Sequence, residues 1–285
     1  MPAIPIGTIT LYYESHGKGE PVVVLPDLGN DVTSLWAQIP VLAQDFRCIA
    51  IDNRGVGRSS KASMPYTTRL MADDTVKVLD HLGLERAHVF GISMGAAIAQ
   101  EMAINYPDRV GRVALLGAWA RADRYLTSLF ELFRDVKRSV DPLTFDREMA
   151  LWSFTRSYFD TSYDELEKRQ RAALDVPYPT PSNTFTRQAE ACMSHDTLER
   201  LEALKAPTLC MVGRHDIFTP PQFSEDIVRG LPEGSLEMIE GTAHAAYWEQ
   251  PDVVNQLVAA HLRSGQPIGG DVSTPEEVEA PSPTA

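Results

Sequence analysis

The sequence predicts an α/β protein: a doubly wound, mostly parallel sheet with helices on both faces and one long helical insertion. Three observations lead there. Short strand-like runs alternate with stretches of helical periodicity along most of the chain. Several of those runs, "PVVVL", "FRCIAID" and "AHVFGI" among them, are apolar almost throughout, as strands covered on both faces must be. The interval from about Trp119 to Leu204 breaks the alternation, being helical in pattern and unusually aromatic.

The elements follow in order. "TITLYYE" alternates in the manner of a strand, and Gly17–Gly19 turn the chain into "PVVVL". "FRCIAID" is the next apolar run. Residues 70–82 read as a helix, with Met71, Val78, Leu79 and Leu82 on one face and Gly83 as its stop. "AHVFGI" precedes a helix from Met94 to Asn105, closed by Pro107, and "RVALLG" follows. After the insertion come "PTLCMVG", "SLEMIEG" and a last helix at 252–263. The core is therefore assigned to 1–118 and 205–263, and a helical cap to 119–204. The Pro/Gly/Ser/Glu-rich segment 264–285 reads as a disordered tail.

At 285 residues with 44% hydrophobic and 23% charged residues, the composition is that of a globular protein. The net charge of −13 argues against nucleic acid or an anionic membrane as partner, since both are polyanions. No signal-like leader or apolar run of membrane-spanning length is present. The three cysteines, Cys48, Cys192 and Cys210, read as buried free thiols of a reducing cytoplasm, and no Cys/His spacing suggests a metal. The expected assembly is a monomer or homodimer.

The chemistry concentrates in "HVFGISMGAAIAQ". Gly91-Ile92-Ser93-Met94-Gly95 fits a G-x-S-x-G turn between an apolar strand and a helix, with small residues wherever the backbone is crowded. A serine hydroxyl needs a base, and the base an orienting acid. Asp216 in "GRHDIF" and His244 in "GTAHAAYWEQP" each follow a strand and stand in the order Ser, Asp, His. All three should emerge at the edge where open α/β sheets bind ligands. His16, His81, His88 and His261 read as solvated residues of turns or helices, and His195, in the insertion, is a further candidate for substrate contact.

Together with "DNRGVGRSS" at 52–60, these motifs resemble the α/β-hydrolase family over roughly residues 5–263. "DNRGVGRSS" lacks the third glycine and the following helix of a dinucleotide fingerprint, so it reads as a structural turn shaped by Asp52 and Arg54. The resemblance implies an eight-stranded sheet with the cap inserted after the sixth strand. It also implies an oxyanion hole built from the backbone N–H groups of Met94 and of Leu28, in the loop of "PVVVLPDLGND". Family members commonly carry His-Gly at the start of that loop, where this chain has Pro26-Asp27. Asp27 is expected to turn from the oxyanion and bond loop N–H groups, or else to face solvent.

A serine nucleophile excludes the dehalogenases and epoxide hydrolases of the family, which need a carboxylate there. The aromatic cap favours small to medium hydrophobic carboxylic esters as substrates. Lactonases, other acyl hydrolases with the same triad, and slow or inactive ligand receptors of the same fold remain as alternatives. Trp119, Trp152, Met193 and Phe218 are the candidates for substrate contact, with no cofactor required. A neutral His244 is needed as base, so activity should rise through about pH 6–7.

Overall fold

The computed structural model describes residues 3–265. The tail reading at 264–285 therefore falls almost entirely outside the described residues. The strands are β1 (Ala3–Ile6), β2 (Ile9–His16), β3 (Glu20–Leu25), β4 (Phe46–Ile51), β5 (Ala87–Ile92), β6 (Val110–Leu116), β7 (Thr208–Gly213) and β8 (Gly234–Ile239). They form one sheet in the order β1-β2-β4-β3-β5-β6-β7-β8. β1, β2 and β4 pair antiparallel in succession, and every pairing from β4 to β8 is parallel. The chain leaves β3 toward β4 on one side and returns through β5 on the other. That reversal opens a crevice between the loops after β3 and β5, the place where such sheets bind ligands.

Alternation within the apolar runs distributes them between two cores. Val23 and Leu25 of β3, with Val89 of β5, pack on one face against α2 (Thr68–His81) and α3 (Met94–Asn105). Val22 and Val24, with Phe90 and Ile92, face the opposite core, which α1 (Ile39–Leu42) and α10 (Pro251–Arg263) cover. A run that is apolar at every position is thus explained: both faces are dry. α8 (Pro221–Gly230) adds Ile227 to the first core, and α9 (Ala246–Glu249) adds Tyr247 to the second.

Between β6 and β7 the chain makes α4 (Arg124–Ser139), α5 (Pro142–Ser153), α6 (Arg156–Ala172) and α7 (Ser182–Met193). Asp123 and Asp141 cap α4 and α5 by accepting from N–H groups of the first turn. α6 bends at Ser162, whose φ of −132° leaves the helical range. This helical layer lies on the loops at the C-terminal strand ends, where α7 touches the loops after both β3 and β4.

Three sequence expectations need correction. β1 went unread because "AIPI" is short and interrupted by proline; it survives at the sheet edge, where a missing N–H is tolerated. His88 is neither solvated nor in a turn or helix: it lies inside β5, accepts the Arg112 N–H at Nδ1, and is 1% exposed. His261 is also partly covered, against the Pro207 carbonyl. The three cysteines are free and buried. No helix among the described residues is long and apolar enough to cross a membrane.

Burial pushes the imidazoles of His88 and His195 down to about 4. His195, packed between Thr68 and Trp119, is therefore neutral when folded at pH 5. The unfolded chain takes up that proton first as pH falls below about 6.5, so stability drains between about 6.5 and 4. Wild type should lose about 2 kcal/mol more than His195→Gln on going from pH 7 to pH 5, read by chemical denaturation.

Candidate active site

Ser93 ends β5 and caps α3 with φ of 51° and ψ of −112°. It is the one non-glycine residue with positive φ among the described residues. A conformation so costly persists only where the surroundings impose it. Here the Ser93 N–H is held by the Leu116 carbonyl at 2.8 Å, and its own carbonyl accepts from Ala96 and Ala97. The crowding explains the flanking glycines. A Cβ on Gly91 would collide with the Gly95 carbonyl, and one on Gly95 with the Leu25 carbonyl.

The structure brings Ser93, Asp216 and His244 together from three separate loops. His244 Nε2 lies 3.0 Å from Ser93 Oγ, and His244 Nδ1 lies 2.8 Å from Asp216 Oδ2. Asp216 also accepts from the N–H groups of Phe218 and Thr219 and from the Thr219 hydroxyl, each within 2.9 Å. Its orientation is thereby set independently of the imidazole. Phe218 stacks on the His244 ring with centroids 4.1 Å apart, and a Cβ on Gly117 would come within 2.9 Å of His244 Cε1. The ring is fixed on both sides. Glu249 anchors its loop, accepting from the Ala243 N–H and from Thr155 at the start of α6.

The loop after β3 carries the second half of the site. The backbone N–H groups of Leu28 and Met94 have no hydrogen-bond acceptor among the described residues. Gln188 on α7 accepts the Gly29 N–H at 3.0 Å and donates to the Arg54 carbonyl at 2.9 Å, joining two loops to the helical layer. The 52–60 turn is itself built as a brace. Asp52 accepts the N–H groups of Val32 and Arg58, and Arg54 makes a buried two-point ion pair with Asp74 at 2.6 and 2.8 Å.

Asp27 meets the expectation only in part. Its carboxylate takes a bond from its own backbone N–H, and it also accepts from the Asn30 side-chain amide at 2.8 Å and the Tyr247 hydroxyl at 3.2 Å. Burial pushes this carboxyl up, against those bonds and the facing His244. Burial and the adjacent carboxylate also push the Tyr247 hydroxyl well up, which keeps it a donor.

A cavity of about 210 Å³ runs from His244 and Leu28 outward beneath α4, α5 and α6. Apolar side chains, Phe145, Met149, Phe154, Leu166 and Phe185 among them, form much of its wall. The four residues expected to contact substrate do not line it. Trp119 is fully buried against Phe130 and His195; Trp152 packs on Phe133 and donates to Glu148. Met193 joins the core at the end of α7, and Phe218 is spent on the His244 ring. His195 is likewise a core residue. For Trp152 and Met193 it is helical register, which one sequence leaves free, that turns the side chain inward, and for Trp119 and Phe218 the course of the loops after β6 and β7. Thr219, Gln188 and Glu249 were missed; Thr219 and Glu249 lie close after Asp216 and His244, whereas Gln188, in α7, has no sequence signal. No group of three or more His, Cys, Asp or Glu among the described residues is placed to hold a metal ion.

With this geometry, the chain belongs to the alpha/beta hydrolase fold family, whose model it matches over residues 20–251. It is 30% identical over 258 residues to the protein named "Putative carbamate hydrolase RutD" of Azorhizobium caulinodans, covering 90% of this chain and 97% of that one. It is 31% identical over 264 residues to "Putative non-heme bromoperoxidase BpoC" of Mycobacterium tuberculosis, covering 90% and 98%. Among solved structures, a thermophilic esterase from Thermogutta terrifontis, with malate bound, superposes with a TM-score of 0.79 at 30% identity, covering 90% and 93%.

Replacing Gln188 by Leu should strand the Arg54 carbonyl and the Gly29 N–H. Stability should fall by about 2–3 kcal/mol in denaturant titration, since each unpaired buried group costs about 1–3 kcal/mol.

Proposed function

We propose that this chain is a serine hydrolase that cleaves carboxylic esters of small to medium hydrophobic substrates through an acyl-enzyme on Ser93. The observation that carries the reading is the unbroken hydrogen-bond chain from Ser93 Oγ through His244 to Asp216. In the proposed step, Ser93 Oγ attacks the ester carbonyl carbon while His244 Nε2 accepts its proton. Asp216 holds the Nδ1–H and stabilises the imidazolium. The negative charge arising on the carbonyl oxygen is taken by the Leu28 and Met94 N–H groups, a kind of contact worth about 100–1000-fold in rate per donor. The imidazolium then protonates the departing alkoxide. Water, deprotonated by His244, releases the acid and restores the serine.

The apolar wall of the cavity supports a hydrophobic acyl or alcohol group. A lactone would pass through the same steps, its alcohol remaining attached to the acid. A carbamate, the substrate class in the name of the Azorhizobium relative, presents a carbonyl carbon open to the same attack. The reading requires no cofactor.

A fluorophosphonate probe should label wild type on Ser93 and leave Ser93→Ala unlabelled. Across a panel of 4-nitrophenyl esters, with a γ-lactone and an aryl carbamate beside it, Ser93→Ala should lower kcat by about 10,000-fold or more. Absence of labelling would sink the enzyme reading, whereas labelling with turnover near one per hour would favour a receptor.

A further inference from the structure

The cavity next to His244 opens into an outer chamber of about 690 Å³, and two cationic side chains stand at the junction, lining both. They are Lys137 of α4 and Arg169 of α6. Arg169 is held in place rather than free. Its guanidinium stacks 4.1 Å from the Trp36 ring centroid and 5.2 Å from that of Trp248, and Glu165 accepts from its Nε at 3.1 Å. This leaves Nη1 buried with no hydrogen-bond partner. Buried donors left unsatisfied are uncommon and call for an acceptor. Lys137 places its Nζ 4.3 Å from the Phe145 ring centroid, and no carboxylate among the described residues lies within 4.0 Å of it. Burial pushes its ammonium down, opposed by the charge of Asp146.

Four acids line the two chambers: Asp31 is committed to the Thr33 N–H and hydroxyl, and Glu165 to Arg169, which leaves Asp27 and Asp146. Asp27, at the inner end, is committed to Asn30 and Tyr247. Asp146 lines both chambers beside Lys137, and burial pushes its carboxyl up. Its carboxylate accepts no hydrogen bond among the described residues, the Gln170 amide donating to its backbone carbonyl instead, so it competes for Lys137 without closing the site. The inner cavity is thus apolar along its wall, reactive at one end, and supplied with unfilled donors at the other.

We propose that Lys137 and Arg169 form a carboxylate-binding subsite that selects esters bearing a second, free carboxylate beyond a short apolar spacer. The subsite rests on the hydrolase reading and deepens it by naming the substrate class. A planar carboxylate can meet the Arg169 edge and the Lys137 ammonium together, whereas a neutral ester leaves both donors bare. Lys137 serves as a mobile charge, and Arg169, clamped between two indoles, supplies the direction.

The test compares monomethyl and dimethyl esters of succinate, glutarate and adipate. For at least one acid, wild type should favour the monoester over the diester by about tenfold or more in kcat/KM. Lys137→Met and Arg169→Met should each bring that ratio toward one, and Asp146→Asn should raise it by removing the competing charge. Arg169→Lys guards against misfolding of the Met variant, and it should recover part of the preference only. Calorimetric titration with glutarate needs no turnover, so it tests the subsite separately from the hydrolase reading. Wild type should bind it, and Lys137→Met at least about fivefold more weakly. No ester turnover with glutarate binding intact would overturn the hydrolase reading alone. Equal kcat/KM for monoester and diester in wild type, or a preference that survives both Met variants, would overturn the subsite.

Discussion

A single backbone contortion organises the molecule: the positive-φ turn at Ser93, pressed between the end of β5 and the first turn of α3. The turn aims the serine hydroxyl at His244, but only because α3 sits close enough for the Leu25 carbonyl to forbid a side chain at position 95. That proximity requires β3 and β5 to be neighbours in the sheet, which in turn requires the chain to cross from one side of β3 to the other. The same crossing opens the crevice into which the loop after β3 folds. Strain, sheet order and the location of the chemistry are therefore one constraint expressed at three scales.

The helical layer is joined to this core through polar contacts at a few points. Gln188 links α7 to the loops after β3 and β4, and the Thr184 hydroxyl donates to the Gly55 carbonyl at 2.7 Å beside it. On the opposite side, Glu249 holds the His244 loop to the start of α6, and the Ala245 N–H donates to the Ser153 carbonyl. The ties at Gly29, Ala243, Ala245 and Glu249 end within a few residues of Leu28 or His244, whereas those at Arg54 and Gly55 hold the loop after β4. Movement of α4–α7 would reach Leu28 and His244 through the first group of bonds.

How much of this was legible depended on how local the determinant was. The strand–turn–helix at Ser93 is specified by adjacent glycines and alanines, and the places of Asp216 and His244 by their lying within a few positions of a strand end. These could be read because steric need and sequence spacing coincide. The inward or outward rotation of a cap helix has no such local signature. Trp119, Trp152, Met193 and Phe218 looked available for a ligand, but tertiary packing turned them to the core or the His244 ring. Phe145 and Leu166, by contrast, reach the cavity from α5 and α6. His88 was misread for a related reason. A polar residue in an apolar run suggests a turn, yet β5 buries it because Arg112 donates to one nitrogen from the next strand.

Charge in the chain as a whole and charge around the cavity have opposite tendencies. A net −13 would repel an anionic substrate at a distance. At physiological salt, however, exposed charges are felt over only about 8 Å, while groups sheltered from water keep their reach. Lys137 and Arg169 are of the second kind, held on aromatic rings inside the helical layer. An anion entering the cavity meets them after the surface field has faded. Recognition would then be decided at contact, by whether the ligand places an acceptor on the part of the Arg169 guanidinium that lines the cavity. The acidic surface tends toward slower encounter, but it leaves the discrimination between an acid-bearing ester and a neutral one almost untouched. That discrimination depends on the donors left unpaired when a neutral group fills the cavity, a cost that salt does not screen.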